Sequence, residues 1–299
     1  MLPLDMARAS AAIAILCAPI AMMAPASAAP SSAIVDPETG SIENGAYVNP
    51  YFGLSFPLPP NWSPGLPGPK PSESGYYVLA SFDAKGGTAG TVLIAAQDEF
   101  FAVKPFDDAM AMVRDLRRSV SEIDGITIDQ EPSAKHLANR SFAQLEFSGA
   151  GLHHVVLATA MRCHILSFTM TTPDAAMRDA FLHVMEGINL SPEGSASSDA
   201  APRCVRDYAR DENVRRKIEP APAGPVFTSV PVRLVLAPNG LVMHIHVIHG
   251  SAEQRHSLEA ALSQWEFRPY EVDGHEVAVE TGRVFRFSPE NGAVDRRHP

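Results

Sequence analysis

The dipeptide Asn239-Gly240 stands between two runs in which every second residue is apolar. Val232, Leu234 and Leu236 precede it, and Met243, Ile245 and Val247 follow. A tight two-residue hairpin turn needs positive φ at both central residues, and Asn-Gly meets that need at little cost. The pattern therefore predicts an antiparallel hairpin with one apolar and one polar face. His244 and His246, two residues apart, fall together on the polar face. Ser251 then caps a helix over about residues 252–265, with Leu258, Ala261, Leu262 and Trp265 inward. Phe267-Arg268-Pro269 leaves that helix, Asp273-Gly274 makes a turn, and residues 277–287 read as a last strand. This C-terminal piece reads β-β-α-β.

The first two thirds of the chain carry a different pattern. Phe52, Leu54, Phe56 and Leu58 alternate as a strand, and prolines 57, 59 and 60 close it. Residues 76–82 and 91–97 are apolar β-type runs with Gly86-Gly87 in the loop between them. Phe106, Met110, Val113, Leu116 and Val120 recur at helical spacing behind Asp107 and Asp108. Further strands are expected at 126–128, 141–147 and 155–160, the last continuing over 163–170. A second helix follows Thr172-Pro173-Asp174, with Met177, Phe181, Val184 and Met185 on one stripe, and stops at Gly187. The order β-β-β-α-β-β-β-α predicts an α+β class, an antiparallel sheet with helices packed on it. Ser/Ala/Pro-rich residues 191–202 read as linker. The expected organisation is a disordered start over 29–46, a domain over 47–190, a linker over 191–213, a small domain over 214–288 and a tail over 289–299.

The N-terminus reads as an export signal. An apolar stretch over residues 11–23 is shorter than the roughly 20 residues a spanning helix needs. Ala26-Ser27-Ala28 matches the small-residue cleavage pattern, so the mature chain is expected to start at Ala29 in the periplasm or outside the cell, with no membrane span. The other reading keeps this segment as an uncleaved anchor. Cleavage would leave two cysteines, Cys163 and Cys204. An oxidising compartment permits one disulfide between them, and the alternative is one buried and one exposed thiol.

Charge and motifs exclude several functions. Thirty-four acidic residues face 24 basic ones, a net charge of −10 without a basic block. A nucleic-acid binder would need a clustered positive face. Ser148 lacks the glycine spacing of a nucleophile elbow, and Gly86–Gly90 lacks the Lys-Ser/Thr pair of a phosphate loop. Cys163 beside His164 is mere adjacency. His244 and His246 suit zinc or copper, but no Cys, Asp or Glu stands near them in sequence at ligand spacing. A solvated strand face is the expectation there. No catalytic residue, metal or cofactor is expected.

Residues 214–288 resemble the C-terminal domain of TonB energy-transducer proteins. The resemblance rests on Val232 to Leu236, Asn239-Gly240, His249-Gly250-Ser251, Leu258 with Ala260-Ala261-Leu262, Trp265-x-Phe267-x-Pro269, Asp273-Gly274 and the strand from Arg283 to Phe287. It implies that Trp265, Phe267, Pro269 and Gly274 are structural. It also implies that a partner peptide pairs beside the last strand, with Val279, Thr281, Arg283 and Phe285 as the binding edge. The partner would be an envelope protein, an outer-membrane receptor peptide, or a second copy of the chain. TonB transducers keep an N-terminal helix and a Pro-rich spacer; here a cleavable signal and a folded domain take those places. The first domain resembles PsbP-like domains through Tyr47, Phe52-Gly53-Leu54-x-Phe56-x-Leu58-Pro59 and Trp62. These are usually non-catalytic accessory modules.

The expected function is a non-catalytic exported protein that binds a protein partner by strand addition, linked to TonB-type transport. The alternatives are a membrane-anchored TonB-like transducer and an envelope metal-binding or enzymatic accessory protein using the first domain.

Overall fold

Local signals place the three α-helices among the described residues. The computed structural model describes residues 35–59, 61–85, 90–138, 140–190, 202–224 and 227–287. The export segment, residues 191–201, Gly86-Gly87 and the tail at 289–299 lie outside them. Helix α1 (Ala109–Ser121) starts where the Asp108 carboxylate accepts from the Ala111 N–H, and α2 (Ala175–Glu186) starts likewise at Asp174. In α3 (Ala252–Leu262), Ser251 and Gln254 cap each other's backbone N–H groups. Such reciprocal caps satisfy donors that the helix itself leaves free.

The strands of the first half are β1 (Ser41–Glu43), β2 (Ala46–Asn49), β3 (Leu54–Pro57), β4 (Trp62–Pro64), β5 (Tyr76–Ala84), β6 (Thr91–Asp98), β7 (Thr127–Leu137), β8 (Arg140–Gly149), β9 (Leu152–Met161), β10 (His164–Thr172) and β11 (Asn189–Leu190). An antiparallel seven-stranded sheet runs β4-β5-β6-β10-β9-β8-β7, and a small one runs β1-β2-β3-β11. Alternation gives the large sheet two apolar faces. Leu157, Leu166 and Phe168 pack toward Phe52, Phe56, Phe181 and Met185. Leu145, Ala158 and Ile165 pack under Val113 of α1.

The second half holds β12 (Arg203–Cys204), β13 (Val214–Arg216), β14 (Thr228–Leu236), β15 (Val242–Val247), β16 (Glu266–Phe267), β17 (Tyr270–Val272), β18 (His275–Val277) and β19 (Val279–Phe287). Its main sheet runs β12-β19-β14-β15. The chain turns through Asn239-Gly240 from β14 to β15, but over residues 237–241 with a register shift, and Asn239 lacks the positive φ of a two-residue turn. Gly240 has φ +83°, and an added Cβ would collide with the Phe267 carbonyl. One face of the sheet buries Val232, Leu234 and Phe285 with Leu258, Leu262, Trp265 and Phe267.

Four points differ from the sequence expectation. Order begins well before Tyr47: β1 lies inside the segment read as disordered, and the buried Asn49 amide holds it by donating to the Pro37 carbonyl at 2.7 Å. Residues 203–213 are not linker. They pair with β19 and bury Tyr208 and Ala209. Cys163 sits in a turn rather than a strand. Arg162 and Cys163 have φ of 48° and 61°, a two-residue hairpin joining β9 to β10. Finally, the described residues of the two expected domains cluster as one unit. No described helix is long and apolar enough to cross a membrane.

Candidate functional site

Alternation along β14 and β19 gives the C-terminal sheet a second face, opposite α3. Arg233, Glu280, Gly282, His244 and His246 lie on it. The first half of the chain covers this face. Phe100 and Phe101 approach Gly282 so closely that a Cβ there would stand 2.7 Å from each ring residue. Ile248 enters the first half's apolar cluster, and the His249 ring pairs with the Pro71 carbonyl at 3.0 Å.

Four charges meet at the centre of this junction. The Arg233 guanidinium donates to Asp98 at 2.6 Å and to Glu280 at 3.0 Å, and all three side chains are at most 3% exposed. Arg162 approaches Glu280 at 3.4 Å, donates to the Tyr51 carbonyl, and lies over the Tyr51 ring. Two carboxylates thus balance two guanidinium groups, which is the condition for burying them. Burial pushes the Asp98 carboxyl above its usual range while Arg233 pulls it down. Burial also opposes the Arg233 charge, but Asp98, Tyr51 and Glu280 outweigh that and hold it protonated. His164 stands 3.6 Å from Asp98 and is fully enclosed. Burial and the nearby Arg233 push its imidazole well below the ordinary range, so it stays neutral.

The Cys163–Cys204 disulfide closes the same junction, with Cα atoms 5.6 Å apart. It ties β12 to the β9–β10 turn, and main-chain bonds hold β12 on the rim of β19. The Arg203 N–H donates to the Ala278 carbonyl and the Val205 N–H to the Glu280 carbonyl. Cys163, Cys204 and Glu280 carry potential metal ligands close together. The two sulfurs are bonded to each other, so neither is a free thiolate.

These bonds define what β19 offers. Backbone groups alternate sides along a strand, and β14 and β19 pair over nine residues without a register shift. If Ala278 and Glu280 point their carbonyls outward, so do Gly282, Val284 and Arg286. β12 covers the first two and then departs. Among the described residues, no backbone group pairs with Gly282, Val284 or Arg286 on that side. Gly282 is buried under Phe100 and Phe101, while Val284 and Arg286 are half-buried. The residues named from the sequence stand at odd positions. Val279, Thr281, Arg283 and Phe285 pair inward with β14, and all are buried. Thr281 accepts from the Ala209 N–H, and Arg283 donates to the Ala209 carbonyl and to Asp211. The edge is therefore read one residue out of phase: its open main-chain groups belong to the even positions.

The remaining motif residues sit as follows. Trp265 and Phe267 fill the space between α3 and the sheet, and the Trp265 Nε1–H donates to the Ile218 carbonyl at 2.7 Å. Pro269 separates β16 from β17, and Gly274, at φ +78°, turns β17 into β18. His154 stacks on Phe147 at 4.7 Å and pairs with Thr171. His246 is not on a solvated face; it is 4% exposed and stacks on Tyr77. Sequence reasoning missed Asp98 and Arg233 altogether, and it placed Glu280 on the exposed edge of the last strand, where the structure buries it.

No family model matches the chain, and no curated protein matches it. Two solved structures are similar to part of the chain. A cyanobacterial PsbP from Synechocystis is 14% identical, covering 51% of this chain and 99% of its own, with a TM-score of 0.35. LpqN of Mycobacterium tuberculosis, described as involved in cell envelope biogenesis, is 16% identical, covering 46% and 83%, with a TM-score of 0.32.

Proposed function

We propose that this chain is a non-catalytic, exported envelope protein whose C-terminal sheet binds an extended protein segment by strand addition. The observation that carries the reading is the half-open rim of β19. β12 already lies against it as a short parallel strand, and the rim continues past the buried Gly282 with the outward main-chain groups of Val284 and Arg286. Main-chain pairing supplies affinity in this mode, and flanking side chains choose register and partner. Val284 and Arg286 fill that second role, one apolar and one cationic. The junction supports the reading by holding the rim rigid, since every buried charge there is engaged with another protein group. The TonB-like residues of 214–288 agree with the same edge, and the cleavable signal with an envelope location.

Val284→Pro tests this. Proline removes one outward N–H but no bond to β14, because Val284 lies opposite Pro231 at a position that does not bond inward. Extended decapeptides selected by display against the mature protein should bind wild type and lose at least tenfold in affinity to the variant. Equal binding to both, or no selectable peptide, would overturn the proposal. If V284P instead abolishes a self-association seen in sedimentation, the added strand comes from a second copy.

A further inference from the structure

β12 lies on the rim that the strand-addition reading assigns to a partner, and little of its own holds it there. It is two residues long, Arg203 and Cys204, and both are exposed. The Arg203 N–H donates to the Ala278 carbonyl at 2.8 Å and the Val205 N–H to the Glu280 carbonyl at 2.9 Å. A parallel pairing this short contributes little by itself. From Arg206 onward the segment leaves the rim and is anchored separately. Thr281 donates to the Arg206 carbonyl, and Arg283 donates to the Ala209 carbonyl and to Asp211. The covalent tie to Cys163 in the β9–β10 turn is therefore what keeps Arg203 and Cys204 in place.

The surroundings of this disulfide suit its opened form. The buried Glu280 places its Oε2 atom 3.4 Å from the Cys163 sulfur. A disulfide sulfur has no hydrogen to give that oxygen, whereas a Cys163 thiol donates to it. Cys204 is exposed, so an incoming thiolate reaches its sulfur. The nine-residue pairing of β14 with β19 does not involve the bond, so the rim survives its loss.

We propose that β12 is a latch on the binding rim: the Cys163–Cys204 bond keeps it over Ala278 and Glu280, and a dithiol reductant opens it. This rests on the strand-addition reading and adds its control. A thiolate of the dithiol attacks the Cys204 sulfur and forms a mixed disulfide. The S–S bond breaks, its electron pair leaves on the Cys163 sulfur, and that sulfur takes a proton from solvent. The second thiolate of the reductant attacks its own partner sulfur in the mixed disulfide and expels Cys204, which also takes a proton. The dithiol ends as a disulfide and the two cysteines as thiols, a two-electron exchange. Residues 203–205 then leave the rim, and the outward groups of Ala278 and Glu280 join those of Val284 and Arg286. A partner strand gains main-chain pairing on both sides of Gly282, so the opened protein binds it more tightly.

The test has two independent readouts on the mature protein, oxidised and after treatment with dithiothreitol. Hydrogen exchange read by mass spectrometry, with no peptide present, should speed at least tenfold at Arg203 and Val205 on reduction, while β14 keeps its protection. Unchanged exchange there overturns the latch and leaves strand addition standing. The display-selected decapeptides should bind the reduced protein at least tenfold more tightly than the oxidised one. By linkage, saturating peptide should raise the midpoint potential of the cysteine pair by about 30 mV for each tenfold gain. Val205→Pro deletes the bond to Glu280 and leaves the disulfide in place. It should raise peptide affinity at least threefold without reductant, so a folding failure on reduction is not the readout. Faster exchange with no gain in peptide affinity, in either the reduced protein or V205P, overturns the proposal. Equal peptide binding by wild type and V284P is the separate signature of a failed strand-addition reading, and it overturns the latch with it.

Discussion

Replacing Arg233 by methionine removes the cation shared by Asp98 and Glu280 while keeping its apolar bulk. At an effective dielectric of 20, two unit charges about 4 Å apart attract by about 4 kcal/mol. Arg233 makes two such contacts, and the desolvation of all three groups offsets much of that sum. Cutting one partner out of a buried pair typically costs about 3–5 kcal/mol, because the other charge stays behind. Glu280 keeps Arg162, so the deficit falls mainly on Asp98. Burial already pushes the Asp98 carboxyl up against the pull of Arg233. Without Arg233 it rises further and takes up a proton. The sign follows: a carboxyl whose folded pKa is raised favours the folded state at low pH and loses that advantage as pH rises. Urea unfolding of R233M should therefore show a loss of about 3–5 kcal/mol at pH 7.5 and a smaller loss at pH 5. The double variant D98N/R233M should recover more than half of the loss at pH 7.5. A loss below about 1 kcal/mol, or one independent of pH, would mean that the buried charges are not coupled as the geometry requires.

Three further outcomes follow from the junction. Cutting the disulfide with Cys163→Ser/Cys204→Ser frees a loop of 41 residues, which chain entropy values at about 4 kcal/mol; the same variant should show faster hydrogen exchange at Val205, read by mass spectrometry. Gly282→Ala places a methyl group 2.7 Å from both Phe100 and Phe101, and should destabilise by about 1–3 kcal/mol in the same urea assay, whereas Gly45→Ala, with nothing within 4 Å but φ of +77°, tests backbone strain alone. Burial and Arg233 hold His164 neutral, so its contribution to stability is intact above about pH 6.5 and is lost as pH falls, because the unfolded chain then gains the proton first, with a slope of up to about 1.4 kcal/mol per pH unit; unfolding free energies at pH 7 and pH 5.5 should converge toward equality in His164→Gln.

What the sequence revealed was local. The caps at Asp108, Asp174 and Ser251 and the turn at Gly240 lie within a few residues of what they control, so spacing finds them. β7 was read as three residues because its eleven alternate weakly. It is an edge strand with register shifts near Gln130, and few of its side chains are buried. The junction was hidden for another reason. Alternation tells which side chains share a face, but not what lies over it. His244 and His246 were correctly grouped and wrongly given to solvent, since Asp36, Glu38 and Tyr77 cover them from far upstream. One signal was available: Arg233 interrupts the apolar run of β14, and Glu280 sets an opposite charge on the same face of the adjoining strand. The residues named along the last strand are those whose main-chain groups pair inward with β14, because side-chain pattern says nothing of which way a carbonyl points.

The covered face of the C-terminal sheet also bears on modularity. A piece cut free at residue 202 would leave the Arg233–Glu280 pair without Asp98, expose the ring of His246, and strip Cys204 of its bond. Such a fragment would present a half-charged, half-apolar plane where the whole chain has an interior. The chain has thus given up the exchangeability that small binding modules usually retain. Its C-terminal sheet cannot be transplanted onto another protein without carrying along, or reinventing, the residues from Asp36 to Arg162 that complete it.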